Sequence, residues 1–188
     1  MLLLVGLGNP GSNYTNTRHN IGFKIIDAIN AHFKLSKQKP KFKGLLTTGN
    51  IDEKKIYAIK PLTFMNNSGT AIKELIDYFK IDAKDVFVFH DDMDIDFGKI
   101  KAKFGGSSAG HNGIESIDKF IGKDYSRVRI GIGHPKQKKK VNNHVLEDFK
   151  EDEEEKINDI TDNIVKQLPT LIEKKIDLFS SKVNQDLN

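Results

Sequence analysis

Short strand-like runs alternate with helix-like segments along this chain, and that alternation restricts its fold more than any other feature. Apolar runs suited to strands occur at residues 2–7, 45–51, 55–59, 86–89, 99–104 and 128–132. Such a pattern predicts an α/β fold. We expect a central, twisted, mixed and largely parallel sheet with helices on both faces, and a hairpin near residues 50–53 that adds an antiparallel element.

Four further segments carry apolar residues at three- and four-residue spacing, which predicts amphipathic helices. The first begins near Ile21, the second begins after Ser68 as N-cap, and the third follows His111. The last begins near Glu147, where acidic residues suit the positive end of a helix. Pro169 is expected to kink or divide that helix.

Length and composition restrict the class of protein. The 188 residues, 37% hydrophobic and 30% charged, suit one globular domain with its own core. We expect that domain to span residues 1–179 and a flexible C-terminal tail to span 180–188. The sequence has no cysteine, no secretory signal and no apolar run of membrane-spanning length, which predicts a cytoplasmic protein. A monomer is the default expectation.

Charge alone assigns no partner. The formal net charge is +4 and the pI is near 9.0, so the surface should attract phosphates mildly. Basic residues concentrate at 34–43 and 136–140, and acidic residues at 147–155. Runs of this kind are usually solvated faces, so they decide little about function.

Polar clusters follow several of the apolar strands or turns. They occupy residues 9–20, 66–68, 90–94 and 105–112. Because ligands of open α/β sheets bind beyond the carboxyl ends of the strands, we expect these clusters to meet in one site.

The first cluster contains a glycine pattern that also occurs in dinucleotide-binding folds. Gly6, Gly8 and Gly11 match the G-x-G-x-x-G spacing. That fingerprint needs its third glycine in the first turn of a helix, whereas Pro10 and the polar residues 12–18 delay the helix. The pattern is therefore weak evidence for nucleotide binding.

Read as a whole, the polar clusters resemble the signatures of the bacterial-type peptidyl-tRNA hydrolases. Five blocks occur in the family's order over about residues 1–149, and several contain polar residues that packing does not explain. The blocks are LLVGLGNPGSNYTNTRHNIGF at 3–23, KPLTFMNNSG at 60–69, HDDMDI at 90–95, GHNGIESI at 110–117 and RVRIGIGHP at 127–135.

This resemblance implies an α/β ester hydrolase that acts in translation. Such an enzyme cleaves the bond between the C-terminus of a peptide and the 3′-terminal ribose of tRNA, and so recycles tRNA from stalled peptidyl-tRNA. The implied partner is peptidyl-tRNA, contacted at its acceptor stem and 3′ end. The resemblance implies no cofactor, no metal, no membrane and no obligate protein partner.

The resemblance also implies roles for single residues. His19 matches the catalytic base, and an imidazole is suited to proton transfer at neutral pH. Asp91 matches the aspartate that orients this histidine. Asn9, Asn66 and Asn112 match three asparagines that line the family's site. We add Tyr14 and Met65 as candidate substrate-binding residues, for which packing is the alternative role.

Basic residues matching the family's contacts to the acceptor-end phosphate are Lys103 and Arg129. Lys101 lies on the same face of its strand as Lys103, because side chains in a strand repeat every two residues, and we add it to this group. The sequence leaves the roles of four histidines open: His90, His111, His134 and His144. One departure from the family concerns residues 107–109, Ser-Ser-Ala, which replace a glycine-richer loop and should narrow its conformational range.

Three alternatives stay open. A metal hydrolase is one, because His90, Asp91, Asp92 and Asp94 are all possible ligands, although neighbouring residues of a strand point to opposite faces. Another is a non-catalytic RNA-binding module that keeps the fold without the chemistry. The third is an organellar relative of the same family, which the motifs do not separate from a cytosolic enzyme.

Overall fold

The structure, a computed structural model, describes residues 1–135 and 141–187. In those residues seven strands form one sheet, and six α-helices surround it. The strands are β1 (Leu2–Gly6), β2 (Lys39–Lys41), β3 (Gly44–Ile51), β4 (Lys54–Pro61), β5 (Val86–Asp92), β6 (Ile100–Phe104) and β7 (Ser126–Gly131). The helices are α1 (Ile21–His32), α2 (Ser68–Phe79), α3 (Asn112–Ile121), α4 (Val141–His144), α5 (Glu151–Ile172) and α6 (Ile176–Gln185).

The sheet is mixed, with a parallel centre. Its strand order is β2-β3-β4-β1-β5-β7-β6, and β4, β1, β5 and β7 run parallel to one another. The outer pairs β2–β3, β3–β4 and β6–β7 are antiparallel. This arrangement confirms the predicted α/β fold. Every predicted strand is present, and only β2 was not foreseen, because its exposed Lys-Pro-Lys sequence has no apolar pattern and suits an edge strand.

Successive side chains of each strand point to opposite faces of the sheet, and this divides the core into two layers. In β1, Leu2 and Leu4 pack with the layer that includes α1, α5 and α6, whereas Leu3 and Val5 pack with the layer that includes α2 and α3. Both layers are fully buried at their centres, and each large aliphatic side chain contributes about 1.5–3 kcal/mol to the stability of the fold. Helices on both faces therefore hold the carboxyl ends of the parallel strands in fixed positions.

Two glycines of the first polar cluster serve the packing of α1 against β1. A Cβ atom on Gly6 would collide with the carbonyl oxygen of Gly22, and a Cβ on Gly8 would lie 2.8 Å from the ring of Phe23. Helix α1 begins only at Ile21, well beyond Gly11. The glycine pattern therefore reflects a close helix–strand approach, and it does not form the helix-opening loop that binds dinucleotides.

Predictions for the C-terminal region were partly wrong. Helix α5 begins at Glu151 rather than near Glu147, and Pro169 lies in its last turn without dividing it.

The predicted N-cap of helix α2 was also wrong. Ser68 begins α2 but is not its N-cap, since its hydroxyl donates to the carbonyl of Met65 at 2.8 Å. The basic residues 136–140 lie outside the described residues. Within the described ranges, no helix has both the length and the apolar character needed to cross a membrane.

The predicted flexible tail contains the second half of helix α6, so that prediction is wrong for residues 180–185. Val183 is fully buried. The hydroxyl of Ser180 accepts from the backbone N–H of Ala102 at 2.8 Å, and the Asn184 amide bonds both backbone groups of Ile100, at 3.0 and 2.9 Å. Helix α6 thus satisfies backbone groups of the edge strand β6 that would otherwise be open to pairing.

Candidate active site

Polar side chains converge at the carboxyl ends of β1 and β5. His19 lies in a short 3-10 turn, Arg18–Asn20, directly before α1, and Asp91 lies near the end of β5. His111 is the N-cap residue of α3 on the other side of the sheet. Since β1 and β5 are adjacent, their following loops bring residues distant in the sequence into one place, as the strand pattern predicts.

Asp91 is the centre of a hydrogen-bonded group of three side chains. Its Oδ1 lies 2.8 Å from Nδ1 of His19 and 3.0 Å from Nε2 of His111. Burial opposes ionisation of this carboxyl, but the charges and hydrogen bonds of His19 and His111 outweigh that effect and hold the pKa of Asp91 well below its ordinary value. Asp91 is therefore an ionised acceptor for both rings.

The hydrogen bonds of His111 fix which of its nitrogens carries the proton. Its Nδ1 accepts from the backbone N–H groups of Gly113 at 3.1 Å and Ile114 at 3.3 Å. Nδ1 must then be unprotonated, so the proton lies on Nε2 and is donated to Asp91. Sequence analysis left the role of His111 open, and its position just before an apolar helical repeat was the available signal.

The arrangement of His19 suits a base. With its Nδ1–H donated to Asp91, the lone pair of the neutral ring lies on Nε2, which bonds to no described residue. His19 also lines a cavity of about 190 Å³, together with Asp91, His111, Asn112, Asn142 and Val145. A carboxylate on one ring nitrogen and a cavity beside the ring are two features that suit general-base chemistry.

The same geometry weakens the metal-hydrolase alternative. Donor atoms of His19, Asp91 and His111 lie within 4.8 Å of one another, close enough for a shared ion. A metal on Nε2 of His111 would move the ring proton to Nδ1, where it would face the two backbone N–H donors. Two of the four residues predicted as metal ligands also have other partners: Asp92 bonds Arg129 at 2.8 Å, and Asp94 bonds His134 at 2.9 Å.

Asn9 joins three segments beside the turn that carries His19. Its backbone N–H and carbonyl exchange hydrogen bonds with the side chain of Asn20, both at 2.9 Å, and its Oδ1 accepts from the N–H of Met65 at 2.8 Å. The Nδ2 group of Asn9 has no described acceptor. Asn20, which the sequence analysis did not select, thus fixes Asn9 in place.

The other predicted substrate residues differ in exposure. Asn66 is exposed in the middle of the 3-10 turn Met65–Asn67, and Asn112 is exposed at the start of α3, whereas Met65 is buried. Tyr14 is half-buried and meets the ring of Phe64 edge-on, with centroids 6.4 Å apart. The structure thus places Asn112 at the cavity and Met65 in the packing beneath it.

Comparisons with known proteins identify the family of this chain. The sequence model of the family described as peptidyl-tRNA hydrolase matches residues 3–188. The chain belongs to the peptidyl-tRNA hydrolase family. It is 72% identical over 184 residues to the peptidyl-tRNA hydrolase of Pelagibacter ubique, covering 98% of this chain and 99% of the relative. Identity with the Ehrlichia ruminantium (strain Welgevonden) enzyme of that name is 46% over 181 residues, or 96% of this chain and 93% of that one.

Solved structures of the peptidyl-tRNA hydrolase family have the same fold. The crystal structure of the Acinetobacter baumannii enzyme superposes with a TM-score of 0.91 at 34% sequence identity. The superposition covers 98% of this chain and 94% of that one. The α/β fold predicted from the strand pattern is therefore the fold of the family.

Three cations lie together on the sheet, and one of them, Arg129, bonds the cavity residue Asp92. Lys101 is opposite Arg129 in the β6–β7 register, so these two residues share a face with Lys103. Burial, then the nearby charges of Arg129 and Arg127, lower the pKa of Lys103. Arg129 is anchored by Asp92, whereas Lys103 has no ion-pair partner among the described residues. This surface is suited to an anion.

Arg18, beside the proposed base, is another residue that the sequence analysis did not select. Its buried guanidinium bonds Glu153 at 2.6 Å and the carbonyl of Glu147 at 3.2 Å, and lies over the ring of Phe149. The N–H of His19 donates to the carbonyl of Val145 at 2.8 Å. The segment before α5 is therefore fastened to the turn that carries His19.

His90 predicts a pH dependence of stability for this hydrolase. Burial holds the pKa of His90 well below its ordinary value, so the native state keeps the ring neutral. Below about pH 6.5 the unfolded chain binds a proton that the native state does not, so stability falls with falling pH, by up to about 1.4 kcal/mol per unit for one group.

We therefore expect His90→Gln to flatten the dependence of the free energy of unfolding on pH between 7 and 5. Urea titrations at several pH values measure it. His32→Gln, at an exposed position on α1, is the matched control and should keep the wild-type slope. Equal slopes in the two variants would show that His90 does not cause the effect.

Proposed function

We propose that this member of the peptidyl-tRNA hydrolase family cleaves the ester between the peptide carboxyl group and the 3′-terminal ribose of tRNA, with His19 as the general base. The observation that carries the proposal is the 2.8 Å hydrogen bond between Nδ1 of His19 and Asp91, in a ring that lines the cavity. Family membership supports the reaction and the geometry supports the roles.

In the proposed reaction, Nε2 of His19 takes a proton from a water molecule as its oxygen attacks the ester carbonyl carbon. The carbonyl electrons move to the oxygen and give a tetrahedral intermediate. The intermediate collapses as the bond to the ribose oxygen breaks, and the imidazolium returns its proton to that oxygen. The products are a free peptide carboxylic acid, which ionises, and tRNA with an intact terminal ribose.

Asp91 and His111 support this step without touching the reacting atoms. The carboxylate holds the His19 tautomer that presents Nε2, and it stabilises the imidazolium as it forms. We assign His111 as a positioning residue, because its fixed Nε2–H donor bonds the same carboxylate oxygen as His19. Its cap on α3 ties that position to the fold.

Neutral amides are suited to the peptide. Asn9, Asn66 and Asn112 offer donors and acceptors without adding charge, so they can bind the peptide backbone or the developing oxyanion. Free Nδ2 hydrogens on Asn9 support a donor role there. Tyr14 and Met65 stay proposed substrate-binding residues, and Met65, which is buried, would act through packing.

The cationic surface of Lys101, Lys103 and Arg129 is proposed to hold the acceptor-end phosphates. For Lys103→Ala we expect weaker tRNA binding and a salt dependence shallower by about 0.7–0.9 in the slope of log K against log[salt], as one lost phosphate contact predicts. Binding titrations from low to high salt measure this slope. Lys166→Ala, on α5, is the matched control, and a Lys103→Ala slope equal to that of wild type would contradict the assignment.

The alternatives from the sequence make different predictions. A non-catalytic RNA-binding module would bind tRNA and release nothing from it. Release of a labelled N-blocked amino acid from tRNA, with tRNA binding measured on the same sample, therefore tests the proposal. Action on peptidyl-tRNA supports the predicted cytoplasmic location, and the monomer stays a prediction. An organellar relative would share the reaction and differ only in location.

A further inference from the structure

A second concavity opens beside the catalytic cavity, and Asn9 is the one residue of its lining that has a role in the reaction described above. It is a groove of about 610 Å³ between the loop after β1, the start of α1 and the adjoining ends of β3 and β4. His19 lines the cavity and its neighbour Asn20 lines the groove. The apolar side chains of its lining include Phe23, Leu45 and Leu62, and the polar ones include Asn9, Asp27 and Lys60.

The apolar part of the groove is a packed element of the fold. Phe23 and Leu45 are half-buried, and Leu62 keeps 39% of its surface exposed. The ring of Phe23 lies against Gly8, where any Cβ atom would displace it. The groove therefore presents fixed apolar surface to solvent close to the proposed catalytic base.

The charges of the groove do not suit a phosphate chain. Lys60 is buried, and its Nζ lies 2.6 Å from Oδ1 of Asp27, so the cation is already neutralised. The amide of Gln38 donates to the same oxygen at 2.6 Å. Lys24 is the remaining cation of the lining. This balance contrasts with the cationic surface on β6 and β7.

The strand order places the cationic surface and the groove on opposite sides of the catalytic group. The cations lie on β7 and β6, the catalytic group follows β1 and β5, and the groove lies at β4 and β3. In a peptidyl-tRNA the RNA and the peptide leave the ester in different directions. With the RNA phosphates on the cationic side, the peptide is directed toward β4 and β3.

The two concavities also differ in volume. At about 190 Å³ the catalytic cavity is smaller than the roughly 300–1,000 Å³ typical of ligand pockets, so it has room for little more than the reacting ester and its own residue. Peptide residues further from the ester need another surface, and the groove is lined by Asn20, which directly follows the cavity residue His19 in the chain.

We propose that this groove is a peptide subsite, which binds the residues N-terminal to the ester-linked one and prefers apolar side chains against Phe23, Leu45 and Leu62. The inference rests on the proposed function and adds a substrate preference to it. Apolar side chains of the peptide would be removed from water there, which favours their binding. Charged side chains would gain little from Lys60 or Asp27, because these two residues already pair with each other.

The test compares three substrates on one tRNA with one ester-linked residue: N-acetyl-Phe, N-acetyl-Leu-Leu-Phe and N-acetyl-Ser-Ser-Phe. For wild type we expect kcat/KM to be about tenfold higher for the Leu-Leu substrate than for the Ser-Ser substrate, since burying apolar groups in a pocket is worth about this much. Leu62→Ser should reduce that ratio about fivefold. Leu178→Ser, at a similarly exposed position on α6, is the matched control and should keep the wild-type ratio.

Each outcome decides one point. A wild-type ratio near one, or a Leu62→Ser ratio equal to that of the control, would overturn the peptide subsite while rapid cleavage of N-acetyl-Phe-tRNA left the proposed function standing. Loss of affinity for deacylated tRNA in Leu62→Ser would assign the groove to RNA and overturn the inference. No cleavage of any substrate by wild type would contradict the proposed function itself.

Discussion

Replacing His19 with alanine is expected to slow release of peptide from tRNA by at least about 100-fold, because a positioned general base contributes this much or more to the rate. His19 contributes the cavity-side lone pair on Nε2, and alanine leaves no group in its place. Affinity for tRNA should stay nearly unchanged, since the cations of β6 and β7 are not altered.

Single-turnover hydrolysis at saturating enzyme measures this effect separately from binding. His32→Ala is the matched control, because it removes an exposed histidine at the end of α1. A rate for His19→Ala equal to that of the control would remove His19 from the mechanism. A parallel loss of tRNA affinity would instead place His19 in binding.

Replacing Asp91 with asparagine should reduce turnover by about 100-fold or more, because catalysis would lose a preorganised negative charge. Both histidine donors bond the same oxygen, Oδ1. An amide of the same shape carries no charge to stabilise the imidazolium, and its NH₂ group cannot accept the Nδ1–H of His19.

The comparison of Asp91→Asn with Asp77→Asn isolates this effect. Asp77 is exposed on α2, where it pairs with Lys73, so its variant should keep wild-type turnover. Circular dichroism and thermal unfolding of each variant show whether the fold is retained. A folded Asp91→Asn protein with wild-type turnover would contradict the proposed role of the carboxylate.

Much of the fold could be predicted from the spacing of apolar residues, because this spacing differs between buried strands and amphipathic helices. Local patterns failed where tertiary contacts decide the structure. Residues 180–185 have a polar composition, yet Ser180 and Asn184 cover the edge of β6 and Val183 is buried. Pro169 falls in the last turn of α5, so the helix could end soon after it without a break.

The candidate site shows the same limit. Single residues could be selected from the family resemblance, and the structure brings His19 and Asp91 into contact. The contact of His111 with Asp91 depends on a helix N-terminus meeting a strand end, and no short sequence pattern encodes that meeting. Arg18 was not selected because its partners lie in the segment before α5 and in α5 itself, far along the chain.

The most direct test of the central claim is hydrolysis of N-acetyl-Phe-tRNA in H₂¹⁸O with a metal chelator present. Attack of water on the ester carbonyl, with His19 as base and no metal required, predicts release at the full rate. One ¹⁸O atom should appear in the carboxylate of the amino acid and none in the terminal ribose. Label in the ribose, or a rate that collapses in chelator and returns with added metal, would contradict the account.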